Sequence, residues 1–210
     1  METEKLKLVI YCIKDRIQHN MSTHKITFIT SNANKLSELQ SWMKDNKLPF
    51  EIVSYNVDLE EIQGTCEEIA KHKAKVAYSL LKEPVFIEDT SLSFNALKGL
   101  PGPYIKSFLQ AIGCEGLYKL LFGFQDKSAI ATCIFAYGFS DTEEPLLFRG
   151  DCLGEIVSPS HSQNQKAFGW DLIFKPNVSE QTFADLDIAI KNRISHRARA
   201  LETLKKHFEQ

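Results

Sequence analysis

The sequence predicts an α/β fold organised as a single domain. Apolar runs with the composition of buried strands alternate along the chain with segments whose apolar residues recur at helical spacing. The 210 residues, 43% of them hydrophobic, are enough to bury the core of one domain, and two small lobes that share one sheet also fit this length. The chain contains no internal repeats and no low-complexity tracts. We therefore expect one domain over residues 21–210.

The first half of the domain is predicted to run strand, helix, strand, helix, strand. Lys25–Thr30 has the pattern of a buried strand, and Ser31–Asn34 after it is typical of a helix start. Apolar residues at helical spacing indicate the helix that follows: Leu36, Leu39, Trp42 and Met43. The next expected elements are a strand at Phe50–Val57, a helix at Cys66–Leu81 that ends before Pro84, and a short strand at Val85–Ile87.

The second half is predicted to complete the sheet. A rigid turn at Gly99–Pro103 leads into helical segments at 104–112 and 115–122. Lys127–Ser140 is predicted to be a central strand because it is apolar on both faces. The remaining elements are a hairpin loop at Asp141–Pro145, strand segments at Leu146–Arg149 and Gly154–Val157, a polar loop at Ser158–Lys166, a strand at Asp171–Phe174, and a final helix from Ala184 or Ile188 to Phe208.

Charge and cysteine usage exclude several classes of protein. The 25 basic and 27 acidic residues nearly balance and form no basic stripe, so we expect no general nucleic-acid binding. No apolar run approaches the roughly 20 residues of a membrane helix, so we expect no membrane association. The five cysteines form no CxxC pair and several lie within apolar runs, which predicts free thiols in a reducing, intracellular compartment.

The N-terminal segment, residues 1–20, is set apart from the domain. Glu2, Glu4 and Asp15 argue against a mitochondrial presequence. The segment is either a dispensable extension, with Met21 opening the domain shortly before the first strong strand, or an additional helix or strand. The sequence leaves these two alternatives open.

Two acidic clusters are candidates for a metal site. Glu88 and Asp89 follow the apolar strand Val85–Ile87, and ligands bind where strands end in α/β proteins. Neighbouring strand residues point to opposite faces, so one of the two carboxylates is expected to reach a given metal. Asp58, Glu60 and Glu61 form the second cluster. Together the clusters suit Mg²⁺, although each cluster alone is more often a solvated turn.

Lys73 is unusual for its position on a helix. A helix over Cys66–Leu81 places Ile69, Val76 and Leu80 on one face, with Lys73 in the middle of that face. A lysine in an apolar stripe either extends to solvent or meets an anion. The second interpretation predicts a phosphate contact.

Two motifs in the last third of the chain are candidates for recognising a base. In Phe168–Asp171, aromatic residues flank a glycine and precede a carboxylate, which suits stacking and hydrogen bonding to a base, although a core tryptophan beside a turn is the more common explanation of this fragment alone. In Ser195–Arg197, the arginine projects at the edge of an apolar helix face and offers a planar set of donors. Surface charge on a basic helix is the alternative for Arg197.

Taken in order, these segments resemble the inosine triphosphate pyrophosphatase family, and its eukaryotic branch in particular. The resemblance runs from about Lys25 to Phe208 and rests on an ordered series of motifs. They are Thr30–Lys35, Glu61–Gly64, Glu88–Thr90, Phe94–Leu97, Gly99–Lys106, Phe148–Gly150, Phe168–Asp171, and Lys191 with Ser195–Arg197. No single motif is decisive, but their common order makes a chance match very improbable.

The resemblance implies an elongated two-lobed fold, with a long central mixed sheet flanked by helices and an active-site cleft between the lobes. It also implies a cytoplasmic homodimer that uses Mg²⁺, for which Mn²⁺ can substitute. The expected activity is hydrolysis of ITP, dITP and XTP to the monophosphate and pyrophosphate, which removes deaminated purines from the precursor pool.

The resemblance also assigns roles to individual residues. Glu61 and Asp89 would bind the metal, Asp89 would orient the attacking water, and Glu88 would support catalysis. The residues expected to bind the triphosphate are Thr30, Ser31, Asn32, Ala33, Asn34, Lys35, Lys73, Thr90 and Lys106. Those expected to hold and read the base are Phe168, Gly169, Trp170, Asp171, Lys191, His196 and Arg197.

Two departures from the family pattern and two rival functions remain. Ser31 stands where many relatives have glycine, and Asn34 where the human-like pattern has lysine, so triphosphate binding could be altered. One rival is a pyrophosphatase for other modified nucleotides. The other is a nucleotide-binding protein with little or no turnover.

Overall fold

The structure is a computed structural model that describes residues 25–48, 50–160 and 168–209. Within these ranges the chain forms seven strands of one mixed sheet and five α-helices. The strands are β1 (Lys25–Ile29), β2 (Glu51–Tyr55), β3 (Val85–Phe94), β4 (Pro101–Gly102), β5 (Ser128–Gly138), β6 (Leu146–Ile156) and β7 (Phe174–Pro176). The helices are α1 (Ala33–Asp45), α2 (Cys66–Leu81), α3 (Ile105–Lys119), α4 (Ile188–Ile194) and α5 (His196–Phe208).

The sheet confirms the predicted mixed α/β architecture. Its strand order is β2-β1-β3-β5-β6-β7, with β4 paired to β3 alone. Strand β1 runs parallel to β2 and β3, whereas β5, β6 and β7 add antiparallel. Strand β5 lies between β3 and β6 and is therefore central, as its apolar faces predicted. The carboxyl ends of the parallel strands β1 and β2 lie at one edge of the sheet, beside the middle of β3. The functional site lies at this edge.

The core has three clusters, which divide the molecule into two lobes around the site. Helices α1 and α5 cover one face of the first lobe, where Phe28, Phe86 and Phe135 are buried. Helix α2 covers the opposite face through a row of small residues that includes Ala70 and Ala74. The third cluster forms the second lobe, where α3 and the ends of β3, β5 and β6 pack around side chains such as Leu92, Phe94, Leu117, Phe174 and Phe183.

Two strand predictions were too short. The strand predicted at Val85–Ile87 continues to Phe94, because residues 88–94 keep pairing with β5 after β1 has ended at Ile29. Glu88 and Asp89 therefore lie in mid-strand, just beyond the end of β1. The segments predicted at 146–149 and 154–157 form one strand, since Gly150–Leu153 also pair with β5.

Two further boundaries were wrong. Strand β7 begins at Phe174, and residues 169–173 form a turn closed by hydrogen bonds from Asp171 N to Phe168 O and from Ile173 N to Trp170 O. Asp171 thus lies in a turn. The predicted final helix is divided at Ser195, whose ψ of 160° is extended. The predictions for residues 1–20, and for positions 161–166 of the polar loop, lie outside the described residues.

Candidate active site

A cleft between the two lobes collects most of the predicted site residues. Its volume is about 760 Å³, within the range of typical small-molecule sites. Its walls come from the loop after β1, the segment before α2 and one face of that helix, the middle of β3, the start of α3, the turn 168–171, and helices α4 and α5. Of the predicted residues Asn34 alone does not line this cleft; it is exposed on the first turn of α1.

The loop Thr30–Lys35 turns from β1 into the N-terminus of α1. Asn32 caps the helix, because its side-chain oxygen accepts hydrogen bonds from Asn34 N at 2.9 Å and Lys35 N at 3.3 Å. Thr30 Oγ1 accepts from Asn32 N at 3.1 Å, which tightens the turn. The positive end of α1 thus opens at the cleft, an environment that favours an anionic group such as phosphate.

Lys73 joins the two carboxylates predicted to bind metal. Its ammonium nitrogen lies 2.9 Å from Asp89 Oδ1 and 3.4 Å from Glu61 Oε1, and only 8% of the residue is exposed. Lys106 approaches the same Glu61 oxygen at 3.3 Å. Burial by itself would lower the pKa of Lys73, but Asp89 and Glu61 raise it above its ordinary value. Lys73 is therefore a fixed positive charge that meets two carboxylates on the apolar face of α2, and its contact with phosphate stays a prediction.

The carboxylates Asp89 and Glu61 fit a hard divalent cation. Asp89 Oδ2 is buried and has no hydrogen-bond donor among the described residues, so this oxygen is available to a ligand. Glu61 is more exposed, and both side chains face the cleft. The described residues contain no cluster of three or more His, Cys, Asp or Glu side chains that could hold a metal. A cation here would draw its other ligands from water and phosphate, which is the usual habit of Mg²⁺.

Glu88 faces the other side of β3 from Asp89, as strand alternation predicted. Its carboxylate lies 2.9 Å from Lys35 Nζ and 3.2 Å from Arg197 Nη2, and it accepts a hydrogen bond from Thr90 Oγ1 at 2.6 Å. Burial alone would raise the pKa of Glu88, but Arg197 and Lys35 hold it well below its ordinary value. Glu88 is thus a buried anion that holds two cations, and it has no contact with Lys73.

The far end of the cleft is lined by buried ion pairs. Lys191 Nζ lies 2.7 Å from Asp171 Oδ2 and 2.9 Å from Glu38 Oε1, and Glu38 also pairs with Arg197. All four side chains are at least nine-tenths buried. Burial raises the pKa of Asp171 despite the opposing charge of Lys191. The surface-charge interpretation of Arg197 is wrong, since 3% of the residue is exposed.

Glu38, which pairs with both Lys191 and Arg197 behind the cleft wall, was not predicted by the sequence analysis. It lies on α1 beside Leu39 and one helical turn before Trp42, both of which are buried. A carboxylate on that apolar face presents the same anomaly that singled out Lys73 on α2. The helical-wheel argument applied to α1 could therefore have found it.

Aromatic rings wall the same end of the cleft. Lys191 Nζ lies 4.8 Å from the centroid of the half-buried Phe168 ring. Trp170 is buried more deeply and packs against Phe174 and His196, at centroid distances of 5.5 Å and 5.3 Å. Phe168 is therefore the more accessible of the two rings predicted to contact a base.

His196 is a buried, neutral imidazole. Its ring stacks on Phe183 with an interplanar angle of 18°, and neither ring nitrogen has a hydrogen-bond partner within the described part of the chain. Burial, reinforced by the charges of Arg197 and Lys191, lowers its pKa well below the ordinary value. The ring therefore carries no charge at neutral pH.

Comparison with known sequences places the chain among related proteins. The profile of the Ham1 family matches residues 26–207. The inosine triphosphate pyrophosphatase of Yarrowia lipolytica is 49% identical over 180 residues, which cover 86% of this chain and 93% of that protein.

Solved structures show the same fold. The Ham1 protein of Coxiella burnetii is 29% identical with a TM-score of 0.76, and the Ham1 protein of Staphylococcus aureus is 26% identical with a TM-score of 0.70. Each comparison covers 88% of this chain and 98% of the other. A nucleoside-triphosphatase, or dITP/XTP pyrophosphatase, from Mycobacterium abscessus is 26% identical with a TM-score of 0.66, covering 86% and 97%.

Proposed function

The chain belongs to the Ham1 family, and from this membership and the cleft we propose that it hydrolyses ITP, dITP and XTP to the nucleoside monophosphate and pyrophosphate. Such an activity removes deaminated purine nucleotides from the precursor pool. The observation that carries the proposal is that the two ends of the cleft present different kinds of side chain. One end presents Lys73 beside two carboxylates, and the other presents Lys191 and Arg197 beside an accessible aromatic ring.

The second end suits a purine with an oxygen at position 6. Lys191 and Arg197 are donors without acceptor capacity, and hypoxanthine and xanthine present an acceptor where adenine presents an amino group. Arg197 Nε is buried and has no hydrogen-bond partner among the described residues, so adenine would leave this donor unpaired, and a site of this kind can reject the wrong base by about 10⁴-fold. Phe168 provides the ring on which the base would stack.

The first end suits the triphosphate. We propose that Glu61 and Asp89 hold Mg²⁺, for which Mn²⁺ can substitute, and that the metal supplies positive charge to the reacting phosphates. Lys73, Lys35 and the N-terminus of α1 bind phosphate oxygens. Asp89 orients the attacking water and accepts its proton. The water oxygen bonds to the α-phosphorus, the bond from that phosphorus to the α–β bridging oxygen breaks, and pyrophosphate leaves.

Location and assembly are also proposed. The described cysteines, Cys66, Cys114, Cys133 and Cys152, are free thiols, which supports a reducing compartment such as the cytoplasm. Exposed apolar side chains on and after α3, Ile112, Phe122 and Phe124, support self-association as a homodimer. No helix in the described ranges is long and apolar enough to cross a bilayer.

Hydrolysis of ITP in ¹⁸O-labelled water tests the proposed reaction. We expect IMP and pyrophosphate in equal amounts, with the label in IMP, and no turnover when a chelator removes divalent metal. Release of orthophosphate, or label in pyrophosphate, would assign attack to another phosphorus. Binding of ITP without any product would favour the rival account of a nucleotide-binding protein. A panel that includes modified pyrimidine triphosphates separates the remaining rival.

A further inference from the structure

Helix α5 approaches strand β6 more closely at Gly150 than any other residue type would permit. A Cβ atom at this position would lie 2.2 Å from Ala200 N, 2.3 Å from His196 O and 2.7 Å from the carbonyl carbon of Arg199. All three are backbone atoms, so no side-chain rotation can relieve the overlap. An alanine at Gly150 would therefore displace the helix by about 1 Å, because interiors are close-packed and real contacts of this kind exceed 3 Å.

The point of closest approach lies beside the end of the cleft that contains Lys191, Arg197 and Phe168, here called the base-reading end. The carbonyl oxygen that touches Gly150 belongs to His196, and Arg197 is the next residue. Across the sheet, Gly150 pairs with Cys133, which pairs with Thr90. Cys133 Sγ donates a hydrogen bond to Glu88 Oε1 at 3.2 Å, and Thr90 Oγ1 lies 3.4 Å from Arg197 Nη2. Three paired residues, Gly150 on β6, Cys133 on β5 and Thr90 on β3, thus connect the contact between α5 and the sheet to the groups that bind the Arg197 side chain.

We propose that Gly150 is a positioning residue that selects the base, because it sets the depth at which α5 presents Arg197 and His196. The inference rests on the proposed function and adds a determinant of its base specificity. Gly150 touches no substrate and acts through the helix alone. Binding sites need their groups within about 0.5 Å of the productive geometry, so a displacement of about 1 Å is large enough to matter.

Gly138 provides a matched comparison on the phosphate side. A Cβ atom there would lie 2.7 Å from the carbonyl oxygen of Ala74 on α2, the residue that follows Lys73. Both glycines therefore seat a helix against the sheet, and each helix carries a charged group of the cleft. An alanine at Gly138 displaces Lys73 and leaves Arg197 in place.

The test compares Gly150→Ala with Gly138→Ala by measuring kcat/KM for ITP and ATP. For Gly150→Ala we expect kcat/KM for ITP to fall about 10- to 100-fold while that for ATP changes much less, so that the ITP/ATP ratio falls by about tenfold or more. For Gly138→Ala we expect losses of similar size for both nucleotides and an unchanged ratio. Equal losses for both nucleotides in folded Gly150→Ala would overturn the proposal.

A second variant covers the case in which Gly150→Ala does not fold. Ala200 is fully buried on the helix side of the same contact, and Ala200→Val also pushes α5 away from the sheet. Near-ultraviolet circular dichroism and a cooperative thermal transition identify the folded variants. A folded Ala200→Val protein with the unsubstituted ITP/ATP ratio would overturn the proposal. Absence of ITP hydrolysis by the unsubstituted protein would overturn the proposed function itself.

Discussion

Six charged side chains of alternating sign, all of them buried except the half-buried Lys35, form a series of ion pairs along one side of the cleft. Each neighbouring pair is in contact, and the order is Lys35, Glu88, Arg197, Glu38, Lys191, Asp171. Removing one side chain of this series leaves its neighbours as buried charges without an ion-pair partner, which costs far more stability than the loss of a surface pair. The series of ion pairs holds Lys191 and Arg197 in place before substrate binds. Selective binding requires donors that are preorganised in this way.

Asp89→Asn tests the catalytic assignment. An amide neither accepts a proton from water nor supplies a charged metal ligand, so we expect kcat for ITP to fall by about 10²- to 10⁴-fold with the fold intact. Steady-state pyrophosphate release measures the loss, and circular dichroism checks the fold. Asp141→Asn is the control, since this exposed residue pairs with Lys82 at a distance from the cleft. Normal turnover by Asp89→Asn would remove the assigned role.

Glu38→Ala tests how much the carboxylate that pairs with Lys191 and Arg197 contributes to the stability of the fold. Arg197 and Lys191 would each lose a carboxylate in a buried environment, and we expect the free energy of unfolding to fall by about 3–5 kcal/mol. Urea denaturation measures the change. Glu144→Gln, which removes an exposed partner of Lys75, is expected to leave the unfolding midpoint unchanged. Equal effects of the two substitutions would contradict the account.

His196 makes stability depend on pH. Its pKa in the folded protein is lowered by burial and by neighbouring cations, so the unfolded chain takes up a proton below about pH 6.5 that the folded chain refuses. Stability is therefore complete above that pH and falls as the pH drops, by about 1.4 kcal/mol per unit from this residue. In urea titrations at pH 5 to 7, His196→Phe should show a smaller pH slope than the unsubstituted protein. An identical slope would contradict this assignment.

At the scale of elements, Ser195 decides how the end of the chain is arranged. Its backbone ends α4, and its side-chain oxygen accepts a hydrogen bond from Ala198 N at 3.2 Å to begin α5. The break directs Lys191 and Arg197 to the same cleft from two short helices. Apolar spacing continues through the segment, which is why the sequence predicted a single helix.

Ser195→Ala removes this cap. Loss of an N-cap side chain typically costs about 1 kcal/mol, and we expect a fall of this size in the free energy of unfolding. Thermal denaturation followed by circular dichroism measures it. Ser195→Asp retains a capping oxygen and should keep most of the stability, so equal losses in both variants would show that the cap is not the cause.

The bounds of helix α2 were predicted more accurately than those of strands β3 and β7, for a physical reason. Helix α2 has the predicted bounds because Thr65 forms a capping box with Glu68 at its start and the apolar face is periodic within the helix itself. The extent of β3 and the start of β7 depend on pairing with strands that are distant in sequence, which local patterns do not contain. Asp171 was accordingly placed on a strand when it lies in a turn.

At the scale of the whole molecule, the cleft brings together segments from the entire length of the domain. The loop Thr30–Lys35 and helix α5 are separated by about 160 positions and meet at Glu88. Burial and periodicity predicted the individual anomalies, such as Lys73, but their assembly into one site came from the ordered family motifs. The mutual pairing of Glu38, Lys191 and Arg197 could not be predicted, since it depends on how α1, α4 and α5 pack.

The most direct test of the account is the ratio of kcat/KM for ITP to that for ATP, measured on the unsubstituted protein with Mg²⁺ present. The buried donors at the base-reading end predict a preference for ITP of about 10⁴-fold. A ratio near one would contradict the account, because it would mean that Lys191 and Arg197 do not read the base. The buried ion pairs would then serve the fold alone.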